Sequence, residues 1–163
     1  MKDDPAKIIR QLTEDLPKFP DGRYNFSEAR KAPVVNCAVY SGGKLLILKR
    51  SDTVIAYPGK WNGISGFIDT LDPIEEIARW ELKEEAGIDD SLIASLEVLE
   101  PHEYVDSQIA RTWVVFPVRV LLNRGPEIRL NEEHTEYKWV EPEMAYKEAL
   151  LPEFINVIKW TMA

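Results

Sequence analysis

The chain has 163 residues, enough to bury one hydrophobic core, and its 45% hydrophobic and 29% charged residues exclude a disordered segment. A formal net charge of −8, with no cluster of arginine or lysine, argues against an extended nucleic acid as partner; a small phosphorylated ligand stays open, because a divalent cation can reverse the local sign. Cys37 is the only cysteine, which excludes an internal disulfide, and without a signal-like or membrane-length apolar run the sequence predicts a cytoplasmic protein with no membrane partner.

In chain order, "DPAKIIRQLTEDLP" predicts an N-terminal amphipathic helix within residues 1–17, with Asp4 as cap, Pro5 in the first turn and Ile8, Ile9, Leu12 and Leu16 on one stripe. A segment rich in turn formers follows. "VVNCAVY" and "KLLILKR" then predict two antiparallel strands around the Ser41-Gly42-Gly43 turn, with Cys37 as a small core residue. "SDTVIAYPGKWNG" is an expected exposed loop leading into a short strand at "ISGFI". "DPIEEIARWELKEEAG" predicts a helix capped by Asp72 and ended by Gly87. "LEVLEPHEY" and "ARTWVVFPVRVLL" predict two more strands, with Pro117 marking an edge or a bulge. "EYKWVEP" is the last strand, and Pro142 and Pro152 each begin a short helix. Strands interspersed with a few helices indicate a layered α+β or α/β domain with a mixed sheet.

The helix around residues 74–86 carries its charges in an unusual place. At about 100° per residue, with Ile74 at zero, Ile77, Ala78, Leu82 and Ala86 define a buried arc from about 300° to about 120°. Glu81 at about 340° and Glu85 at about 20° fall inside that arc, and Glu84 at about 280° flanks it. Two carboxylates on an inward face lose hydration and repel each other, so something positive must compensate. An arginine can do this, and so can a metal; carboxylates at i, i+3 and i+4 suit one or two hard dications such as Mg²⁺ or Mn²⁺ held against phosphate oxygens. The plain alternative is a solvated acidic face displaced by one turn.

The segment "GFIDTLDPIEEIARWELKEEAGI", residues 66–88, resembles the signature of the Nudix hydrolases, G-x5-E-x7-R-E-U-x-E-E-x-G-U with U aliphatic. Gly66, Glu81, Leu82, Glu84, Glu85, Gly87 and Ile88 match at the required spacing, while Asp72 stands in place of a glutamate and Trp80 in place of the arginine. The second departure is the greater, because the family's arginine pairs with a motif carboxylate; packing of Trp80 against the N-terminal helix or a partner subunit is the expected role of the replacement. "GKLLILKRS", "PGKWNGISG" and "EEHTEYKWV" extend the resemblance over residues 33–147. It implies an α/β fold, an α/β/α sandwich with a central mixed sheet, in one domain over 1–163 comprising the N-terminal helix within 1–17, a core over 33–147 and a C-terminal helix over 152–163.

The resemblance further implies a hydrolase that uses Mg²⁺ or Mn²⁺ to cleave a pyrophosphate bond in a nucleoside diphosphate linked to another moiety, with a catalytically silent nucleotide-binding module as the alternative. It carries metal binding and catalysis to Glu81, Glu84 and Glu85, with the backbone carbonyl of Ser65 as a further ligand. A glutamate outside the motif, Glu103 or Glu133 first and then Glu132 or Glu136, is expected as base or extra ligand. Arg50, Lys60, Gly66 and Trp61 are expected near substrate, with a place in the core beneath the loop as the equal alternative for Trp61, and Tyr57 and Phe67 can stack on a base. His102 and His134 are candidates for an acid, a base or a substrate contact, but both lie in polar segments, where solvation is the expected state. A homodimer is compatible with the resemblance.

Overall fold

In the computed structural model, residues 4–162 are described, so the first three residues of the predicted N-terminal segment and Ala163 lie outside the described residues. Asp4 accepts a hydrogen bond from the Ala6 amide at 3.1 Å and Pro5 opens α1 (Pro5–Thr13), the arrangement that satisfies the free amides of a first turn. Ile9 is buried, and Ile8 and Leu12 pack against the same core.

The sheet is built on β1 (Lys31–Ser41), buried at nearly every position. Along one edge it runs parallel to β7 (Arg111–Leu122), in register from Lys31 opposite Thr112 to Tyr40 opposite Leu121. On the other edge the predicted hairpin with β2 (Lys44–Arg50) holds only at its turn, as Tyr40 opposite Leu45 and Ser41 opposite Lys44. Gly42 and Gly43 supply that turn with φ of 56° and 80°. The two strands then part. β2 continues against β8 (His134–Val140) and briefly β3 (Trp61–Asn62), while β4 (Ile64–Phe67) takes the vacated edge of β1 from Val34 to Cys37.

"LEVLEPHEY" divides into β5 (Ile93–Val98) and β6 (His102–Asp106), both antiparallel to β7. Pro117 therefore lies in a central strand rather than at an edge. Its carbonyl accepts from the Leu99 amide at 2.8 Å, so its missing N–H falls where β5 gives way to β6 and no ladder bond is lost.

Alternation along the strands gives the sheet two apolar faces. Val35, Cys37, Leu46, Leu48, Ile64 and Phe116 pack beneath α1 and α2 (Ile74–Ala86). Val34, Ala38, Ile47 and Val115 pack against α3 (Pro152–Met162) through Phe154, Val157 and Ile158. The result is the expected α/β/α sandwich with a mixed sheet. Each fully buried phenylalanine, Phe116 and Phe154, contributes about 3–5 kcal/mol relative to alanine. Cys37 has no exposed surface and burial pushes its thiol well above the ordinary range, as befits a core residue.

The ends of α2 form differently from one another. Asp72 does not cap it: its carboxylate accepts from the Thr70 hydroxyl at 2.8 Å, and the helix starts one residue later, behind Pro73, without a side-chain cap. Pro73 takes the capping position, so Asp72 is set back too far to reach the free amides. At the other end Gly87, with φ 69°, donates to Lys83 O at 3.0 Å and Ile88 to Leu82 O at 3.1 Å, closing a Schellman motif.

Candidate active site

The wheel positions of α2 translate into burial. Ile74, Ala78, Leu82 and Ala86 are buried, and Glu85 is 2% exposed among them; Glu81 is half-buried and Glu84 is exposed. Glu81, Glu84 and Glu85 line a cleft of about 1020 Å³ between α2, β4 and the 131–133 turn. The signature glycine serves this helix directly: β4 presents Gly66 to α2, and a Cβ there would overlap the Glu81 carboxylate. Glycine lets the strand approach the acid closely.

Burial first, then the hydrogen bond and charge of Glu81, pushes the Glu85 carboxyl well above its usual range, and burial raises Glu81 to about 7. Glu85 Oε2 is buried without any hydrogen-bond partner. Arg50, at the end of β2, opposes the rise at Glu85 only as a minor influence, and its own Nε donates to the Ala56 carbonyl at 2.9 Å. No arginine or lysine forms an ion pair with Glu81 or Glu85 within 4.0 Å among the described residues. A buried, orphaned carboxylate beside a second one is what a bound dication would satisfy, so the donor set fits Mg²⁺ or Mn²⁺.

Other expected residues divide between the cleft and elsewhere. Ser65 and Gly66 line it, as do Glu132 and Glu133 of the turn. The Asn131 side chain accepts from the Glu133 amide at 3.1 Å and the Glu133 carbonyl accepts from the Ser51 amide at 2.8 Å, so the turn is tied to the end of β2. Glu103 lies outside, on β6, in an exposed ion pair with Lys31. Glu136 pairs with Lys49 at 3.4 Å, and Lys60 is exposed away from the cleft lining. Trp61 is 5% exposed in the core beneath α3, with Lys138 Nζ 4.9 Å from its ring centroid, so it has no free face for substrate. The alternation of β3 turns it away from the α2 face. Tyr57, with φ 55°, donates to Asp106 at 2.5 Å, and Phe67 stacks on Phe26 at 5.7 Å. His102 stacks on Trp160 at 3.6 Å instead of being solvated. Trp80 does not pack on α1; it is 58% exposed and lines the cleft beside Glu81 and Glu84.

Arg23 escapes sequence reasoning altogether, and the burial of His134 beside Glu85 is not expected from it. Arg23, from the linker after α1, lines the cleft and pairs with Asp21 at 2.8 Å and Asp69 at 3.6 Å. It faces eight carboxylates as the one cationic side chain of the described lining. His134, expected in solvent, is 5% exposed: it opens β8 opposite Arg50, next to an irregularity in the β2 pairing. Its Nε2 lies 3.9 Å from Glu85 Oε1, both its ring nitrogens lack hydrogen-bond partners, and burial, then the charge of Arg50, lowers it to about 4. Simple alternation in "HTEYKW" would place His134 on the face of Glu136 and Lys138, which is the Trp61 and α3 face; the irregularity between Lys49 and Arg50 is what turns His134 to the opposite face, beside Glu85.

A second groove, of about 1150 Å³ between α1, the start of α2 and the β5–β6 junction, contains none of Glu81, Glu84 and Glu85. No helix of the described residues is long and apolar enough to cross a membrane.

The chain matches the sequence profile of the NUDIX domain over residues 30–161. It is 25% identical over 120 residues, 70% of this chain and 84% of the relative, to the nucleoside triphosphatase NudI of Escherichia coli O139:H28, and equally to that of Shigella flexneri serotype 5b. Its fold is similar to that of a MutT protein from Methanosarcina mazei Go1 (TM-score 0.66, 19% identity, 83% of this chain and 95% of that one). It is also similar to that of an Ap4A hydrolase from C. elegans (TM-score 0.62, 24% identity, 78% and 93%). The profile spans most of the sequence and the signature helix carries its glutamates into a cleft, so the chain belongs to the Nudix hydrolase family.

Proposed function

We propose that the protein hydrolyses a pyrophosphate bond in a nucleoside diphosphate linked to another moiety, using Mg²⁺ or Mn²⁺ held by Glu81, Glu85 and the Ser65 carbonyl. One observation carries this reading: Glu85, almost fully buried beside Glu81, has an oxygen with no protein partner. A cation held there would neutralise phosphate oxygens and stabilise the charge of the departing phosphate. A cleft with eight carboxylates and one arginine repels a bare polyphosphate, so substrate enters together with its cations.

Glu84, exposed at the cleft edge, is the general base: its carboxylate takes a proton from water as the water oxygen bonds to phosphorus and the bridging P–O bond breaks. Arg23 orients the phosphate chain from the opposite wall. Glu133 lies on the ligand side, grouped with Glu85. Because the NudI relatives are named nucleoside triphosphatases, nucleoside triphosphates are the first substrates of choice.

The test is product analysis with (deoxy)nucleoside triphosphates, ADP-ribose, dinucleoside polyphosphates and nucleotide sugars, each with Mg²⁺, Mn²⁺ or EDTA. Metal-dependent release of a nucleoside monophosphate with pyrophosphate or a second phosphorylated product is the expected result. Nucleotide binding without turnover under every condition would overturn it in favour of a silent binding module, with Trp80 in the arginine's place as its mark.

A further inference from the structure

Glu85, Glu133 and His134 each offer one donor atom, and these atoms lie within 4.8 Å of one another. Acidic groups cluster often without purpose, but here two members are buried and incomplete. Glu85 is 2% exposed with Oε2 unpartnered, and His134 is 5% exposed with both Nδ1 and Nε2 unpartnered. Buried polar atoms are seldom left unpaired, and two incomplete side chains side by side mark a missing occupant.

The geometry also tells against a direct hydrogen bond between them. Nε2 of His134 stands 3.9 Å from Glu85 Oε1, too far to donate or accept. Two donors on a common dication, each at about 2.1 Å, lie roughly 3.0–3.4 Å apart at octahedral or tetrahedral angles, so a small closure of the side chains seats an ion between them. The scaffold holds both sides of that gap: α2 fixes Glu85 in the core, and the 131–134 turn is tied through the Asn131 side chain and the Ser51 amide.

We propose that His134 supplies an imidazole nitrogen to the cation site beside Glu85 and Glu133, and that this nitrogen biases the site toward Mn²⁺ and the later first-row dications over Mg²⁺. The inference rests on the reading of Glu85 as a cation ligand. Carboxylate and carbonyl oxygens alone suit Mg²⁺, whereas an imidazole donor adds much more to the binding of Mn²⁺, Co²⁺ or Zn²⁺ than to that of Mg²⁺, which dehydrates reluctantly and prefers oxygen.

The experiment needs no substrate. Mn²⁺ and Mg²⁺ affinities are measured by calorimetry for the whole chain and for His134→Phe, which keeps a ring in the buried space and removes both nitrogens. The Mn²⁺ affinity falls at least tenfold in the variant while the Mg²⁺ affinity changes less than twofold. In parallel, the imidazole ¹⁵N resonances of the unsubstituted protein are followed as Zn²⁺ is added, so that a poorly folded variant does not decide the matter. A nitrogen of His134 moves to a coordinated shift, and those of His102, stacked on Trp160, stay in place. Mg²⁺ and Mn²⁺ binding with no change at His134, or an unaltered Mn²⁺ to Mg²⁺ ratio in a folded variant, overturns the role of His134 and leaves the hydrolase reading standing. Absence of any dication binding by the unsubstituted protein overturns both.

Discussion

On each face of its sheet the protein sets a buried carboxylate beside a half-buried one, and the two pairs are solvated by different means. On the α3 face Asp106 is 2% exposed, yet its oxygens accept from the Tyr57 hydroxyl at 2.5 Å, the Gln108 amide at 3.2 Å and the Trp113 indole at 3.4 Å. Its neighbour Glu153 is raised to about 7 by burial and then by the charge of Asp106, and keeps one oxygen without a partner. On the α2 face Glu85 keeps Oε2 without a partner, and its polar neighbours are a second carboxyl, Glu81, and a histidine out of hydrogen-bonding range. One site is completed largely by the chain itself, whereas on the proposed reading the other is completed by a bound cation. Burial alone therefore does not identify a functional acid, and neither does one orphaned oxygen, which Glu153 shares; what sets Glu85 apart is the second carboxyl and the unpartnered imidazole beside it.

The largest effect that separates the two sites is at Glu85. Glu85→Gln is expected to lower metal-dependent turnover by about 10²–10³-fold, while thermal unfolding in EDTA at pH 8 shows no loss of stability, because an uncompensated buried charge is gone. Unchanged turnover in the folded variant removes Glu85 from the chemistry.

Gly66→Ala comes next. The added methyl displaces the end of a flexible side chain, the Glu81 carboxylate, and a displacement of about 1 Å in a ligand costs roughly 10² in rate. Circular dichroism melts shifted by no more than the equivalent of about 1 kcal/mol, together with weaker Mg²⁺ binding, distinguish this from a fold defect.

Of these two positions Glu85 was also the more legible in the sequence, and for a physical reason. The helical period of α2 is set by Ile74, Ala78, Leu82 and Ala86, so any acid within their arc is placed inward before a coordinate is known. Gly66 is expected near substrate, and its close approach to Glu81 shows only once β4 and α2 are packed together. His134 was not legible, because its meaning depends on a pairing between β8 and β2, strands separated by more than eighty residues. Trp61 shows the same limit from the other direction: in a strand of two residues, alternation has no run long enough to tell which face an aromatic takes. Asp72 and Pro117 were misplaced by one-residue details, a proline in the capping position and a break in the neighbouring strand.

The α3-face pair is sharpened by pH. A carboxyl raised from 4.5 to about 7 in the folded state keeps a proton that the unfolded chain has lost, so stability is greatest below pH 4.5 and falls as pH rises toward and through about 7. Glu153→Gln removes this slope and is expected to raise stability at pH 8 by roughly 2–3 kcal/mol relative to the unsubstituted protein, with little difference at pH 4. Urea unfolding in EDTA at both values measures it; Glu81 and Glu85, also raised, contribute the same slope to both proteins and cancel in the difference. Asp106→Asn acts in the opposite sense. It turns one acceptor toward donors as a donor and costs about 1–2 kcal/mol, with Mg²⁺ affinity unchanged because the cation site lies on the other face.

The smallest effect is expected at Trp80, and it separates the rim of the metal cleft from its floor. Trp80 is 58% exposed and forms no part of either core cluster, so Trp80→Ala changes stability by less than about 0.5 kcal/mol. The indole nevertheless lines the same cleft as Glu81 and Glu84. Dication affinity, set by the buried ligands, stays within a factor of about two, while KM for the substrate found in the panel rises if the ring contacts it. A loss of several kcal/mol on unfolding, or a dimer that dissociates in gel filtration when the ring is removed, would instead place Trp80 in a packed interface and return it to the role expected from sequence. The comparison thus turns on solvent access: the same helix turn places Glu81 over glycine and Trp80 in open solvent, and only the first position has lost the freedom to change.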